Sequence, residues 1–294
     1  MIVITGETCG MRKTAALILG AALLALAGCA VRATPQDGRV HVVAGFYPLQ
    51  FVAEEIGGDR VGVENLTRAG AEPHDLELQP SQLAALEDAD LVLYLRGFQP
   101  AVDEGADLQD RARTFDVSKV ATLHGADPHV WLDPLRLAAI ADSVAQRLAA
   151  VDPAHAGEFA TRVADLDGRL RALDREYTQG LSDCQRHDVV TSHEAFGYLT
   201  ARYGLNQIPV TGLNPDEEPG PQQVRDVARV ARERGVTTIF FEALVSPKLS
   251  QTVAREIGAR AAVLDPIEGV EDGATYFSVM RTNLATLRDA LGCR

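Results

Sequence analysis

Four residues scattered along the chain, His74, His129, His193 and Asp265, each follow a segment that reads as a β-strand, and their side chains form a complete donor set for one divalent transition ion. Imidazole nitrogens and a carboxylate suit zinc, which in a tetrahedral site is satisfied by four protein donors without water. The local contexts are Glu72-Pro73-His74-Asp75, Asp127-Pro128-His129-Val130-Trp131-Leu132-Asp133-Pro134, Thr191-Ser192-His193-Glu194-Ala195-Phe196-Gly197-Tyr198 and Val263-Leu264-Asp265-Pro266. Taken singly, His74 and His129 read as turn residues beside proline, and Asp265 as the cap of the turn before Pro266. His193 stands where a helix N-cap would prefer Ser, Thr or Asp, and Ser192 already offers one, so a ligand role explains it better. Glu242 ends a strand on the same rim; it reads equally as a carboxylate that orients a ligand imidazole and as a buried acid bonded to a helix N-terminus.

Three imidazoles and an acid can also hold catalytic zinc, so a zinc-dependent surface hydrolase is the alternative from another class. Such enzymes gather ligands in a short motif such as H-E-x-x-H, which does not occur here, and four protein ligands leave no place for an activated water. A surface adhesin would need no metal, and the ligand set disfavours it. His41, His124, His155 and His187 lack comparable contexts and read as surface or strand-end residues.

The elements that must position these residues alternate. Short β-rich runs at Val40–Phe46, Val61–Thr67, Leu91–Leu95 and Arg113–Val117 are interleaved with helical stretches such as Pro80–Ala89 and Pro134–Ala150. The pattern resumes with Asp188–Thr191, Gln207–Thr211, Thr237–Glu242 and Ala261–Leu264, separated by helices near Glu194–Tyr203, Pro221–Arg234, Pro247–Ile257 and Ala274–Leu291. Between the halves, Phe159, Val163, Leu166, Leu170, Leu173, Tyr177 and Leu181 recur at helical spacing from Pro153 to Leu181. About 28 helical residues run roughly 40 Å, enough to span both halves along one side. The fold class is therefore α/β: two βα-alternating lobes with mostly parallel sheets, joined by one long spine helix. The lobes cover 40–151 and 183–294, with the linking helix at 152–182, and ligands of such sheets bind outside the carboxyl ends of the strands.

The N-terminus reads as a targeting segment. Arg12-Lys13 precede an apolar run of about fourteen residues, too short to span a bilayer, which closes on Leu26-Ala27-Gly28-Cys29. Residues 1–28 form a secretory signal, with Met11 an alternative start; Cys29 is the lipidated first residue and 29–39 a tether. Loss of the signal leaves the mature chain about one unit more acidic than the full-length net charge of −13, a surface that argues against nucleic acid. Cys184 and Cys293 remain, and in an oxidising exterior an even pair is expected to be bridged.

These residues together resemble the zinc/manganese solute-binding lipoproteins of ABC importers, the cluster A-I class. The resemblance rests on Val42-Val43-Ala44-Gly45-Phe46-Tyr47-Pro48, Gly70-Ala71-Glu72-Pro73-His74-Asp75-Leu76-Glu77 with Pro80-Ser81, the two histidine turns quoted above, Phe240-Phe241-Glu242 and Leu264-Asp265-Pro266, all in order along the mature chain. It implies that His74, His129, His193 and Asp265 are the metal ligands, two from each lobe. It implies further a non-enzymatic, monomeric receptor on the outer face of the cell membrane, anchored through Cys29. The partners would be an ABC permease and its ATPase. Manganese receptors of the class look like they carry a carboxylate where this chain has His193, so Zn2+ is favoured and a Mn2+ receptor is the alternative. The long His- and acid-rich loop of some zinc receptors is reduced here to His124 and a few acids such as Asp103, Glu104 and Asp107.

Overall fold

Val40–Ala44 sets the pattern that builds each sheet. Apart from His41 near its start, its side chains are apolar on both faces, as a parallel strand covered on both sides requires: Val42 and Ala44 point into a central core, Val43 into an outer one. In the computed structural model the described residues are 2–3, 38–215, 217–243, 247–271 and 273–294. The signal 1–28 apart from Ile2 and Val3, the lipidation site Cys29 and the tether up to residue 37 lie outside them. Contacts divide the chain after Gly38, and Arg39–Arg294 form one unit.

The first half of that unit runs β1 (Val40–Ala44), α1 (Tyr47–Gly57), β2 (Val61–Asn65), α2 (Pro80–Asp88), β3 (Leu91–Tyr94), α3 (Pro100–Asp107), β4 (Thr114–Asp116), α4 (Ser118–Ala121) and α5 (Pro134–Val151). α6 (Ala156–Gly180) follows a 3-10 turn at Pro153–His155. The second half runs β5 (Asp188–Thr191), α7 (Gly197–Arg202), β6 (Asn206–Pro209), α8 (Pro221–Glu233), β7 (Thr238–Phe241), α9 (Lys248–Ile257), β8 (Arg260–Val263) and α10 (Tyr276–Leu291). Each half holds a four-stranded, all-parallel sheet, in the orders β2-β1-β3-β4 and β6-β5-β7-β8. The expected α/β class and strand positions hold: β5 matches, β1–β4 and β7 are shorter by one or two residues at one or both ends, and β6 and β8 start one residue earlier.

Proline at the first or second position starts α1, α2, α3, α5 and α8, where its fixed φ costs nothing and its missing N–H is not needed. Asp133 caps α5 by accepting the Leu135 N–H, which fixes the turn that carries His129.

One core joins the halves. Leu91, Leu93, Trp131, Val189, Phe240 and Leu264 belong to it together with the buried face of α6, while each sheet's other face packs on its own outer helices. The spine α6 buries Phe159, Leu166, Leu170, Leu173 and Tyr177. Truncating one such fully buried leucine to alanine costs about 2–5 kcal/mol. Ion pairs tie the spine to both halves, Arg60–Glu158 and Arg169–Glu55 on the first, Arg281–Glu176 and Arg202–Asp174 on the second. Most of these pairs are exposed, so apolar burial carries the attachment and the pairs add little. Cys184 and Cys293 are joined in a disulfide across a sequence separation of 109. Among the described residues, no helix is long and apolar enough to cross a membrane.

Candidate metal centre

Three turns and one loop converge at the carboxyl ends of the two sheets. His74 lies in the loop between β2 and α2, His129 just before a 3-10 turn at Val130–Leu132, His193 two residues after β5, and Glu268 five residues after β8. One donor atom from each lies within 4.8 Å of all the others. His129 Nε2 stands 3.4 Å from His193 Nε2, and Glu268 Oε1 stands 3.1, 3.4 and 3.7 Å from the Nε2 atoms of His129, His74 and His193. Ligands about 2.05 Å from a tetrahedral zinc are separated from one another by about 3.3 Å. The four spacings given, 3.1–3.7 Å, are close to that edge length.

Two of the three imidazoles, those of His129 and His193, are oriented from behind. Asp127 Oδ1 accepts both the backbone N–H of His129, at 2.9 Å, and its Nδ1–H, at 2.8 Å. Glu242 Oε1 accepts the Nδ1–H of His193 at 2.5 Å and also the Ser192 hydroxyl. With each Nδ1 carrying its proton toward a carboxylate, each Nε2 keeps a lone pair for metal. Close approach of the two halves helps: a Cβ at Gly197 would come within 2.6 Å of Asp127 Oδ2 and push on the carboxylate behind His129.

His129, His193 and Glu268 are buried and His74 is nearly so, its side chain 10% exposed. Burial would lower the pKa of His193, but the hydrogen bonds from Glu242 and Glu268 outweigh it and raise the imidazole to about 10. His129 is raised by the same balance, burial opposed by Asp127 and Glu268. Glu268 would be raised by burial, yet the three imidazoles hold its carboxyl well below the usual range. The raised imidazoles of His129 and His193 and the lowered Glu268 carboxyl favour imidazolium–carboxylate pairing between them.

The model of the family described as "Zinc-uptake complex component A periplasmic" matches residues 42–290. The chain belongs to this family. Zinc-binding protein AdcA of Streptococcus pyogenes is 32% identical over 295 residues, covering 86% of this chain and 56% of its own length, so the chain spans little more than half of that relative. The high-affinity zinc uptake system protein ZnuA of Bacillus subtilis is 30% identical over 307 residues, covering 93% of this chain and 96% of its own. Among solved structures, the laminin binding protein Lmb of Streptococcus agalactiae, described as having adhesin and metal transporting activity, aligns with a TM-score of 0.81 at 32% identity, covering 86% of this chain and 99% of that one. The Zn(II)-bound ZnuA-like domain of Streptococcus pneumoniae AdcA aligns with a TM-score of 0.76 at 31% identity, again covering 86% and 99%.

In this zinc-uptake component A chain the fourth corner differs from the sequence expectation. Asp265 does not join the converging donors. Its Oδ1 accepts the Ile267 N–H at 2.7 Å, and burial, with the charges of Glu268 and Glu242, raises its carboxyl to about 6. The chain turns sharply at Ile267, whose φ is +60°, and presents Glu268 instead. A carboxylate ahead of Gly269 in the turn after Pro266 was the available signal, but nothing in the sequence ranks it above Asp265. Glu242 takes the orienting position. Of the other histidines, His124 stacks on Tyr198 and meets Arg136, and His155 bonds Asp152, all away from the centre.

Proposed function

We propose that the protein is the extracytoplasmic zinc receptor of an ABC-type import system, which binds Zn2+ as cargo through His74, His129, His193 and Glu268 and releases it to a membrane permease with its ATPase. The observation that carries this reading is the convergence of three imidazoles and one carboxylate, a donor atom from each within 4.8 Å of all the others, where the two halves meet. Four protein donors leave no position for an activated water, which disfavours hydrolysis. Three nitrogens to one oxygen favour zinc over manganese.

The lobes are the segments 40–151 and 183–294, and the cargo completes their interface; release needs them to part. The lipidated Cys29 holds the receptor at the outer face of the cell membrane, consistent with relatives in Streptococcus pneumoniae that are named lipoproteins. Purified mature protein tested by elemental analysis after dialysis against mixed zinc and manganese should carry one zinc per chain. His193→Ala should lose it, and Glu268→Gln should still load zinc but hold it more weakly in a competition titration. Equal manganese loading, or zinc held as tightly as in wild type by both variants, would overturn the reading.

A further inference from the structure

The segment Asp265–Glu268 is the most constrained backbone beside the centre. Ile267 sits at φ +60° and is fully buried. A β-branched side chain is strained in that left-handed region, so the surroundings must impose it. Part of the constraint is local to the second half: Asp265 Oδ1 accepts the Ile267 N–H, and Asn283 brackets Asp265 by accepting its N–H at 3.0 Å and donating to its carbonyl at 2.7 Å.

The remaining contact comes from the opposite half. Trp131, the single tryptophan of the chain, is 1% exposed, and its indole N–H donates to the Pro266 carbonyl at 2.6 Å. The Tyr276 hydroxyl donates back to the Trp131 carbonyl at 2.7 Å, closing the clasp. Trp131 lies two residues beyond His129, and the imidazole and indole centroids are 5.3 Å apart. The indole has this one donor and no acceptor, and a buried N–H left without a partner is costly, so the bond fixes where the Pro266–Ile267 peptide points.

We propose that Trp131 is a positioning residue for the cargo. From the opposite half its N–H holds the Pro266–Ile267 peptide in the orientation that aims Glu268 at the three imidazoles. Closure of the lobes and completion of the ligand set thereby become one event. When the lobes part, the bond is lost, Ile267 relaxes from its strained conformation and Glu268 swings away from the metal. This proposal rests on the four-donor zinc reading above.

The test is zinc release into excess chelator, followed by stopped flow with the mature protein, for wild type, Trp131→Phe, Glu268→Gln and the double variant. Phenylalanine keeps an aromatic ring against Phe46 and Phe98 and removes only the N–H and part of the ring. Release from Trp131→Phe should be about tenfold faster, the low end of what loss of a supporting contact costs a metal site. In the Glu268→Gln background the same substitution should change the rate less than about twofold, because its route of action is gone. A wild-type rate in Trp131→Phe, or an undiminished acceleration in the Glu268→Gln background, would overturn the proposal. Asp265→Ala tests the same turn without touching the tryptophan and should show the same dependence on Glu268. A loss of equal size with and without Glu268 would make Asp265 a ligand in its own right and overturn the clasp. If Glu268→Gln alone releases zinc as slowly as wild type, the four-donor reading fails, and the clasp with it; if Glu268→Gln is fast and Trp131→Phe is not, only the clasp fails.

Discussion

Both halves wind four parallel strands in the same order and bring two donors to the carboxyl ends, yet they hold them differently. In the second half His193 and Glu268 are sealed from solvent, the Glu242 carboxylate takes both the imidazole and the Ser192 hydroxyl, and a disulfide ties the start of the half to the residues just after its last helix. In the first half His129 is equally buried and backed by Asp127, but His74 stands on the long loop between β2 and α2. Its side chain keeps some exposure, and Glu72 accepts only its backbone N–H, at 2.9 Å. The second half is thus a preset pair of ligands and the first a pair of unequal ones. Identical sheet topology does not dictate equal ligand rigidity; the turns beyond the strands do.

The largest effect that would sharpen this contrast is on stability. Cys184→Ser with Cys293→Ser opens a loop for which the chain-entropy model gives about 4–5 kcal/mol. Calorimetry should show the melting midpoint fall by roughly 10 °C or more. A midpoint unmoved by the double substitution would mean that the second half owes its rigidity to packing alone. Slightly smaller is the effect of cargo. Zinc at about 1,000 times its dissociation constant should add roughly 4 kcal/mol, and a melting shift near 10 °C, if it binds only the folded chain. Identical melting curves in chelator and in zinc would break the picture of donors shared by the two halves.

The carboxylates behind the imidazoles come next. Glu242→Gln and Asp127→Asn should each weaken zinc about 10–100-fold in competition titrations, since each disturbs the tautomer of a ligand imidazole. Glu242→Gln should be the worse, because Glu242 also takes the Ser192 hydroxyl. The reverse ranking would place the better-supported ligand in the first half and undo the comparison.

The pH dependence follows from the raised imidazoles. His193 faces Glu242 and Glu268 directly, with His129 beside it and Glu72 within coulombic reach. Its pKa of about 10 in the folded chain lies above the unfolded value of about 6.5. The stabilisation it gives the metal-free fold is therefore complete below about pH 6.5 and is lost as pH rises through about 10. Zinc must displace that proton at neutral pH. Affinity by calorimetry should accordingly climb up to about tenfold per pH unit for each proton released, and go on climbing above pH 6.5, where an ordinary histidine has already lost its proton. A plateau from pH 6.5 upward would show that the second-half imidazole is not protonated before binding.

Much of this was legible in the sequence because the signals were local. β5 falls at Asp188–Thr191, where Asp-Val-Val-Thr places it, and α6 follows from apolar residues three and four apart. The spine starts later than its periodicity suggests, because Pro153–His155 close a 3-10 turn first. α1 and α3 fall between strands where the alternation requires helices, although the sequence marks no bounds for them beyond Pro48 and Pro100 at their starts. Glu268 was hidden for a different reason. Its position depends on a left-handed isoleucine held in part by Trp131, which stands more than a hundred residues earlier in the chain. A contact of that kind leaves no periodic trace, so the first carboxylate after β8, Asp265, looked like the ligand.

The most direct test is anomalous diffraction from crystals of the zinc-loaded mature protein at the zinc edge. One peak is expected about 2.0–2.2 Å from the Nε2 atoms of His74, His129 and His193 and from a carboxylate oxygen of Glu268, with Asp265 still bonded to the Ile267 N–H. A peak bound by Asp265 in place of Glu268, or one that lies away from the three imidazoles, would contradict the account.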